Sequence, residues 1–447
     1  MSVVNAPPES LYAAHIGIDW ADRSHAWSLL TAEGQRSRGQ LEHTPEAIEA
    51  WAAELAQRFG GRPIAVALEQ SRGALIAILL KYPHLDLFPI HPNSLAHYRQ
   101  SLYPSGAKSD ACDGDLILEY LVRHPERLRQ LQLDTVETRT LQFLTEERRK
   151  LVDQNTAETQ MLTQWLKMVF PQLLGWFDSP NSALVGDLLL RWPTLEALQK
   201  TTPKTLRKFL EQHNCRGDER IQKLLEQIRT AVPATRDAAL LAASQASLET
   251  SVRVLALRRT AIAGLDRALA AALVAHPDYA IVASLPGAGP ALEPRLIAAL
   301  GTCRERFASA QALACAVGIA PVTKASGQSR EVHWRWSCPK FVRQTFQEWA
   351  ACSIPRCAWA REHYRRQRAK GHEHHAAVRS LAYKWIRILF RCWRDRVPYA
   401  EAVYVDARGK APRDTPPPSQ EALLAGVEWK SCGGFKKLVC KSPELSA

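Results

Sequence analysis

Short apolar runs broken by polar stretches dominate the first 130 residues, and the runs have strand length. His15-Ile16-Gly17-Ile18 and Ile64-Ala65-Val66-Ala67-Leu68 are nearly continuous, as strands buried on both faces are. The run at 25–30 follows a polar turn, so residues 11–31 predict a hairpin. Residues 44–59 predict a helix. Thr44 and Pro45 suit its N-cap and first position, and Gly60-Gly61 suits its end. A helix over about 73–81, a strand over 85–90 and a polar stretch over 99–108 follow. An amphipathic helix then runs from Asp110 to about Arg123. The order β-β-α-β-α-β-α predicts one α/β domain over residues 1–130.

Beyond it the period changes. Residues 135–170 and 236–275 predict two long helices, able to pair as an antiparallel hairpin within one chain or between protomers. Short helical runs broken by prolines fill 171–235, which predicts a helical subdomain inserted into a helical, coiled-coil region at 131–275. Residues 276–400 predict a mostly helical C-terminal domain. The tail at 401–447, with Pro416-Pro417-Pro418 and Gly433-Gly434, predicts poor order.

Charge adds a partner class. The 447 residues carry a net +13, which points to a polyanion. Residues 331–400 hold 15 Lys/Arg against 5 Asp/Glu and six of the 13 tryptophans. Basic residues neutralise phosphates and aromatics stack on bases. Trp349, Trp385 and Trp393 recur at helical spacing among apolar residues and are expected in the core. No apolar run reaches 18 residues, so no membrane span is expected. The ten cysteines form no CxxC pair, and the N-terminus lacks a signal-peptide pattern. The expected setting is a reducing cytoplasm. His372-Glu373-His374-His375 lacks zincin spacing, because position 376 is Ala.

Four acids carry the candidate chemistry. Asp19 and Glu69 close two of the apolar strands, and Asp110 and Asp113 share one face at the head of a helix. Carboxylates are hard ligands suited to Mg2+ or Mn2+, and two such ions can clamp a phosphodiester. Acids drawn from two strand ends and one helix are an RNase H-like arrangement. The alternative is structural, since acids near a helix N-terminus are favoured anyway. A second cluster lies at 285–330. Leu285-Pro286-Gly287-Ala288-Gly289-Pro290 suits a helix-hairpin-helix turn whose glycines and following helix could admit a phosphate. Ser326, before Gly327 in a polar, basic loop, is either a plain turn residue or a nucleophile awaiting activation.

Six motifs in order carry a family resemblance: 17–19, 68–69, 108–113, 285–290, 318–321 and 326–330. Over about residues 12–400 the chain resembles the DEDD-type transposases of bacterial insertion sequences, often called the one-ten family. The resemblance implies a RuvC-like α/β domain joined, through a coiled-coil segment, to a C-terminal serine transposase domain. Asp19, Glu69, Asp110 and Asp113 would take the four metal-binding positions, and Ser326 the position of the essential serine. It further implies recombination of donor and target DNA through a phosphoserine intermediate. A structured noncoding bridge RNA would guide the reaction, within a homo-oligomer: a dimer, or a tetramer in the synaptic complex. Backbone-directed contacts would then fall to Lys108, Gly287, Gly289, Lys324, Arg330, Arg335, Lys340, Arg343, Arg365 and Arg366. The insertion at 171–235 and the tail lengthen this chain beyond compact members. Two other readings use fewer of these features. A metal-dependent junction nuclease would use the acids alone, and a non-catalytic nucleic-acid-binding protein would use neither cluster.

Overall fold

A computed structural model describes residues 11–102, 110–327, 329–402, 427–432 and 435–440, of which 110–112, 330 and the last two segments are described by backbone alone. The chain divides into two compact units, Met1–Leu133 and Asp134–Ala447.

The N-terminal unit is a mixed α/β sheet with helices on both faces. Its strands are β1 (Ala14–Asp19), β2 (Ser24–Thr31), β3 (Arg36–Glu42), β4 (Ile64–Leu68) and β5 (Leu85–Pro89). They lie in the order β3-β2-β1-β4-β5. β1 runs antiparallel to β2 and parallel to β4, which in turn runs parallel to β5. β3 is a strand that the apolar pattern does not predict. Its sequence, Arg-Ser-Arg-Gly-Gln-Leu-Glu, is polar because it is an exposed edge.

Alternation along β1 and β4 splits the core. Ile16, Ile18, Val66 and Leu68 face one way, onto α1 (Pro45–Arg58) and α2 (Ala74–Leu79). Ala65 and Ala67 face the other way, onto α3 (Pro92–Leu102) and α4 (Asp110–Arg123). Thr44 caps α1 as its sequence predicts, its side chain accepting from the Ala47 amide. Helix α3 replaces the first part of the polar stretch expected from residue 99.

Helix α4 lies directly on β1. A Cβ at Gly17 would stand 2.4 Å from both the Gly114 carbonyl oxygen and the Leu118 amide nitrogen. Only glycine permits that approach. Asp115 fixes the helix laterally: Ser28 Oγ donates to it at 2.7 Å and Arg38 Nε at 3.0 Å.

The second unit is mostly helical. Its long helices α5 (Val136–Val169) and, after five short ones, α11 (Ala238–Val274) pair within the chain. They are antiparallel: Thr138 Oγ1 meets His276 just beyond α11 at 2.8 Å, and Glu158 accepts from Ser251 at 2.7 Å. The short helices are α6 (Gln172–Trp176), α7 (Ala183–Arg191), α8 (Leu195–Gln199), α9 (Pro203–Gln212) and α10 (Asp218–Thr230). They share a core with the far ends of the pair, through Leu162, Leu166, Leu248 and Val252.

At the other end, Leu141, Leu269 and Leu273 enter the core of the C-terminal helices. These are α12 (Tyr279–Ala283), α13 (Gly289–Leu300), α14 (Ala310–Ala316), α15 (Lys340–Ser353), α16 (Ala358–Ala369) and α17 (His374–Asp395). The helical and C-terminal regions therefore share one core across position 275. Trp349, Trp385 and Trp393 are buried there, as their spacing predicts. A short hairpin, β6 (Val322–Ser326) and β7 (Ser329–His333), projects between α14 and α15 in sequence. Much of the tail expected to lack order lies outside the described residues. Within it, β8 (Val427–Cys432) and β9 (Phe435–Cys440) pair antiparallel.

Gly17→Ala is expected to destabilise the protein by about 1–3 kcal/mol, because the atoms it meets are backbone and cannot rotate away. Gly175→Ala, where a Cβ meets nothing within 4 Å, should be neutral or gain up to about 1 kcal/mol. Urea unfolding of both variants checks this, and an unshifted midpoint for Gly17→Ala would contradict the close contact.

Candidate active site

The site grows from strand register. β1 and β4 are parallel with Ile18 opposite Leu68, so Asp19 and Glu69 come next, side by side, at the carboxyl ends of the two central strands. Both belong to the odd-numbered positions, the face that α4 covers. Each is half-buried. The Gly17 contact sets α4 so that Asp113, next to Gly114, also lies on this face. Asp113 is 4% exposed and bonds Arg99 of α3, whose Nη2 donates to its Oδ1 at 2.7 Å. A carboxylate that deep needs a countercharge, and here an arginine supplies it.

Asp110 begins α4, but its side chain lies outside the described part, as does Lys108 altogether. Among the described residues no three His, Cys, Asp or Glu side chains gather closely enough to hold a metal ion. The structure thus brings Asp19, Glu69 and Asp113 to one end of one face, without the ligating geometry of a finished site. The donor chemistry fits a hard divalent cation: oxygen ligands only, one of them buried. Asp115, a neighbouring acid, is held by Ser28 and Arg38.

Ser326 does not sit in an irregular loop. It ends β6, paired with Ser329 across the hairpin, and stands exposed at the tip. Gly327, with φ of 55°, makes the turn. Lys324 is exposed on the same strand, opposite Glu331. Arg330 pairs with Ala325, but its side chain lies outside the described part.

The other expected contacts divide into outward and inward groups. Lys340 and Arg366 are exposed, and Arg365 is half-buried. Arg335 turns inward, Nε donating to the Ala320 carbonyl at 3.1 Å. Arg343 donates to the Arg335 carbonyl at 3.0 Å and lies over Trp334 at 4.6 Å. These two hold the segment after β7 in place. Trp336 is 79% exposed beside them. Gly287 owes its lack of a side chain to packing, since a Cβ there would meet the Cys352 carbonyl at 2.5 Å. Gly289 opens α13 with nothing within 4 Å of its Cβ position.

Sequence reading misses Arg99 and the role of Gly114. The signal for Gly114 was available: a glycine inside an otherwise helical run commonly marks close packing. Arg99 is visible only once α3 is known to lie beside α4.

Comparison with known sequences agrees with this geometry. A profile of DEDD-type transposases of IS110 elements matches residues 16–171, and the profile "Transposase IS116/IS110/IS902 family" matches residues 279–365. Together they span more than half of the chain. The mini-circle IS117 product of Streptomyces coelicolor is 28% identical over 398 residues, covering 86% of this chain and 95% of its own. An IS110 protein of the same organism is 28% identical over 396 residues, with the same coverage. An IS900 protein of Mycobacterium paratuberculosis is 27% identical, covering 86% and 97%. The protein is therefore a DNA transposase of the DEDD type, an enzyme of insertion-sequence recombination. It belongs to the IS110 transposase family. DEDD-type transposases generally use a divalent metal ion. Among the described residues no helix is long and apolar enough to cross a membrane.

Arg99→Gln takes the guanidinium away from a buried carboxylate and is expected to cost about 3 kcal/mol, the low end for a broken buried pair because Arg99 keeps some exposure. The Arg99→Gln/Asp113→Asn double variant should recover most of that loss. Denaturation in metal-free buffer measures both, and equal losses in single and double variants would refute the pairing.

Proposed function

We propose that this transposase cuts and rejoins donor and target DNA through a serine–phosphodiester intermediate, guided by a noncoding bridge RNA. Its N-terminal unit acts as an RNase H-like, RuvC-like catalytic domain. The observation that carries the reading is the convergence of Asp19, Glu69 and Asp113 on the α4 face, at the carboxyl ends of two parallel strands. Asp110, three residues before Asp113 on α4, completes the set. These four acids would hold Mg2+ or Mn2+, which when bound stabilises the charge developing on the leaving oxygen.

Ser326 is the nucleophile. Its Oγ forms a bond to phosphorus as the bond to the leaving sugar oxygen breaks. The hydroxyl proton is lost and the leaving oxygen takes one up. A hydroxyl from another strand then reverses the step, so ligation needs no external energy source. The hairpin supports this role: paired strands hold an exposed hydroxyl at a fixed tip, where an approaching phosphate meets little obstruction. The acids of one protomer would serve the serine of another, which makes the working form a homo-oligomer, a dimer or a tetramer around two duplexes. Guide pairing reads the sequence, and the exposed cations Lys324, Lys340 and Arg366 track backbone phosphates. Lys108 and Arg330 belong to the same set by their place in the motifs. The reaction would take place in the cytoplasm.

The test uses purified protein, RNA transcribed from the flanking DNA, Mg2+ and labelled donor and target duplexes on a denaturing gel. A slow, protease-sensitive band is expected from the wild type and from neither Ser326→Ala nor Asp19→Ala. Free nicked DNA from Ser326→Ala, with no adduct in the wild type, would leave a metal-dependent nuclease instead.

A further inference from the structure

A cavity of about 40 Å³ lies where α5, α11, α13 and α15 meet, away from the hairpin serine in sequence. Thr145, Arg148, Arg149, Arg295 and Phe341 line it, together with Asp266 and the first turn of α13 at Pro290 and Ala291. Three arginines and one aspartate face the cavity, and the carboxylates of Asp153 and Glu348 pair with two of the arginines from outside the lining.

The arginines are held, and each hold is visible. Arg148 pairs with Asp266, Nε to Oδ1 at 2.5 Å. Arg149 pairs with Asp153 at 2.8 Å. Arg295 donates through Nε to Thr345 Oγ1 at 2.9 Å and through Nη1 to Glu348 at 2.7 Å. Its Nη2 is buried with no hydrogen-bond partner among the described residues. Phe341 carries both remaining guanidinium groups, Arg295 at 4.5 Å and Arg149 at 5.3 Å from its ring centroid. Burial pushes the Arg295 guanidinium below its ordinary value. Glu348 pulls it up again, and the charges of Arg149 and Arg148 push it down.

Cations gathered this way repel one another, and a buried guanidinium donor without an acceptor is costly. Helix α13 adds to the demand. Its N-cap is Ala288, which offers no side-chain oxygen to the leading amides, and the positive end of the helix dipole sits at the cavity wall. Basic side chains, an unsatisfied buried donor and an uncapped helix start all ask for the same thing, a compact tetrahedral anion with several acceptor oxygens. The volume exceeds that needed by a single water and suits one phosphate group.

We propose that this cavity is a phosphate-binding site, filled in the working complex by a backbone phosphodiester of the bound nucleic acid. That occupant rests on the recombinase reading, whereas the affinity for phosphate does not. Arg149 is the residue to change, because it is partly exposed and its loss spares the buried Arg295 network.

Two measurements on the full-length protein test the proposal. In thermal melts, inorganic phosphate should raise the Tm of the wild type and of Arg253→Gln, and leave Arg149→Gln unmoved. Arg253 is an exposed control on α11, paired with Glu249. In anisotropy titrations with labelled duplex DNA and with guide RNA over a salt series, Arg149→Gln should weaken binding of one of them about five- to tenfold. It should also flatten that ligand's plot of log K against log salt by about one. The ligand affected identifies the strand that enters. Phosphate protection with unchanged binding and slope for both ligands overturns the nucleic-acid occupant. Equal phosphate responses in wild type and Arg149→Gln overturn the site itself. A wild type that binds neither DNA nor RNA fails the recombinase reading and, with it, the occupant, while the phosphate melts still decide the anion site.

Discussion

The N-terminal unit depends on one close contact, the backbone of α4 pressed against β1 at Gly17. Ordinary helix-on-sheet packing keeps a layer of side chains between the two backbones. Here Gly17 and Gly114 remove that layer. The first turn of α4 is thereby drawn onto the sheet beside the strand ends that carry Asp19 and Glu69. Asp113 follows from the position of its neighbour Gly114. Arg99 then answers the charge that this placement buries. A pair of glycines thus sets Asp113 on the sheet face that carries Asp19 and Glu69, and the lateral tie from Asp115 to Ser28 and Arg38 keeps the helix from sliding along the sheet.

Much of this was legible in the sequence, for identifiable reasons. Strands buried on both faces write themselves as apolar runs, so β1, β4 and their terminal acids stood out. Helices α1, α5 and α11 were marked by caps and by length. Edge strand β3 was invisible because a solvated strand has no apolar signature. Helix α3 was not predicted, and its last residues were read as a polar stretch, because only Leu95 of it is fully buried. Among the candidate site residues, Ser326 was expected in a polar loop and ends a hairpin strand instead, since pairing is a nonlocal property. Arg335 and Arg343 show what charge alone leaves out. Charge in a basic segment suggests outward reach, yet each gives one donor to a neighbouring carbonyl. Composition counts cations without saying which are already occupied.

The C-terminal unit solves a different problem, that of joining a module of short helices to the helices beside the hairpin without loosening either. A buried polar group at one end of the helical pair does part of this. Asp134 accepts from the Thr302 amide at 2.7 Å and pairs with Arg306 at 2.8 Å, while Arg304 pairs with Asp278. These contacts fasten the start of α5 and the segment after α11 to the end of α13. Hydrophobic packing around Trp385 and Trp393 then encloses them.

Helices α5 and α11 each contribute residues to two separate cores, one at either end. A helix of 34 residues extends roughly 50 Å. Two such rods side by side are far stiffer than a single chain crossing the same gap. Because the short helices α6–α10 have their own core at one end, they can change in size or shape without disturbing the other. A change within that module is thereby kept about the length of the pair away from the core around Trp385 and Trp393. The long pair then behaves as a spacer: it couples the two cores in position while keeping their packing independent.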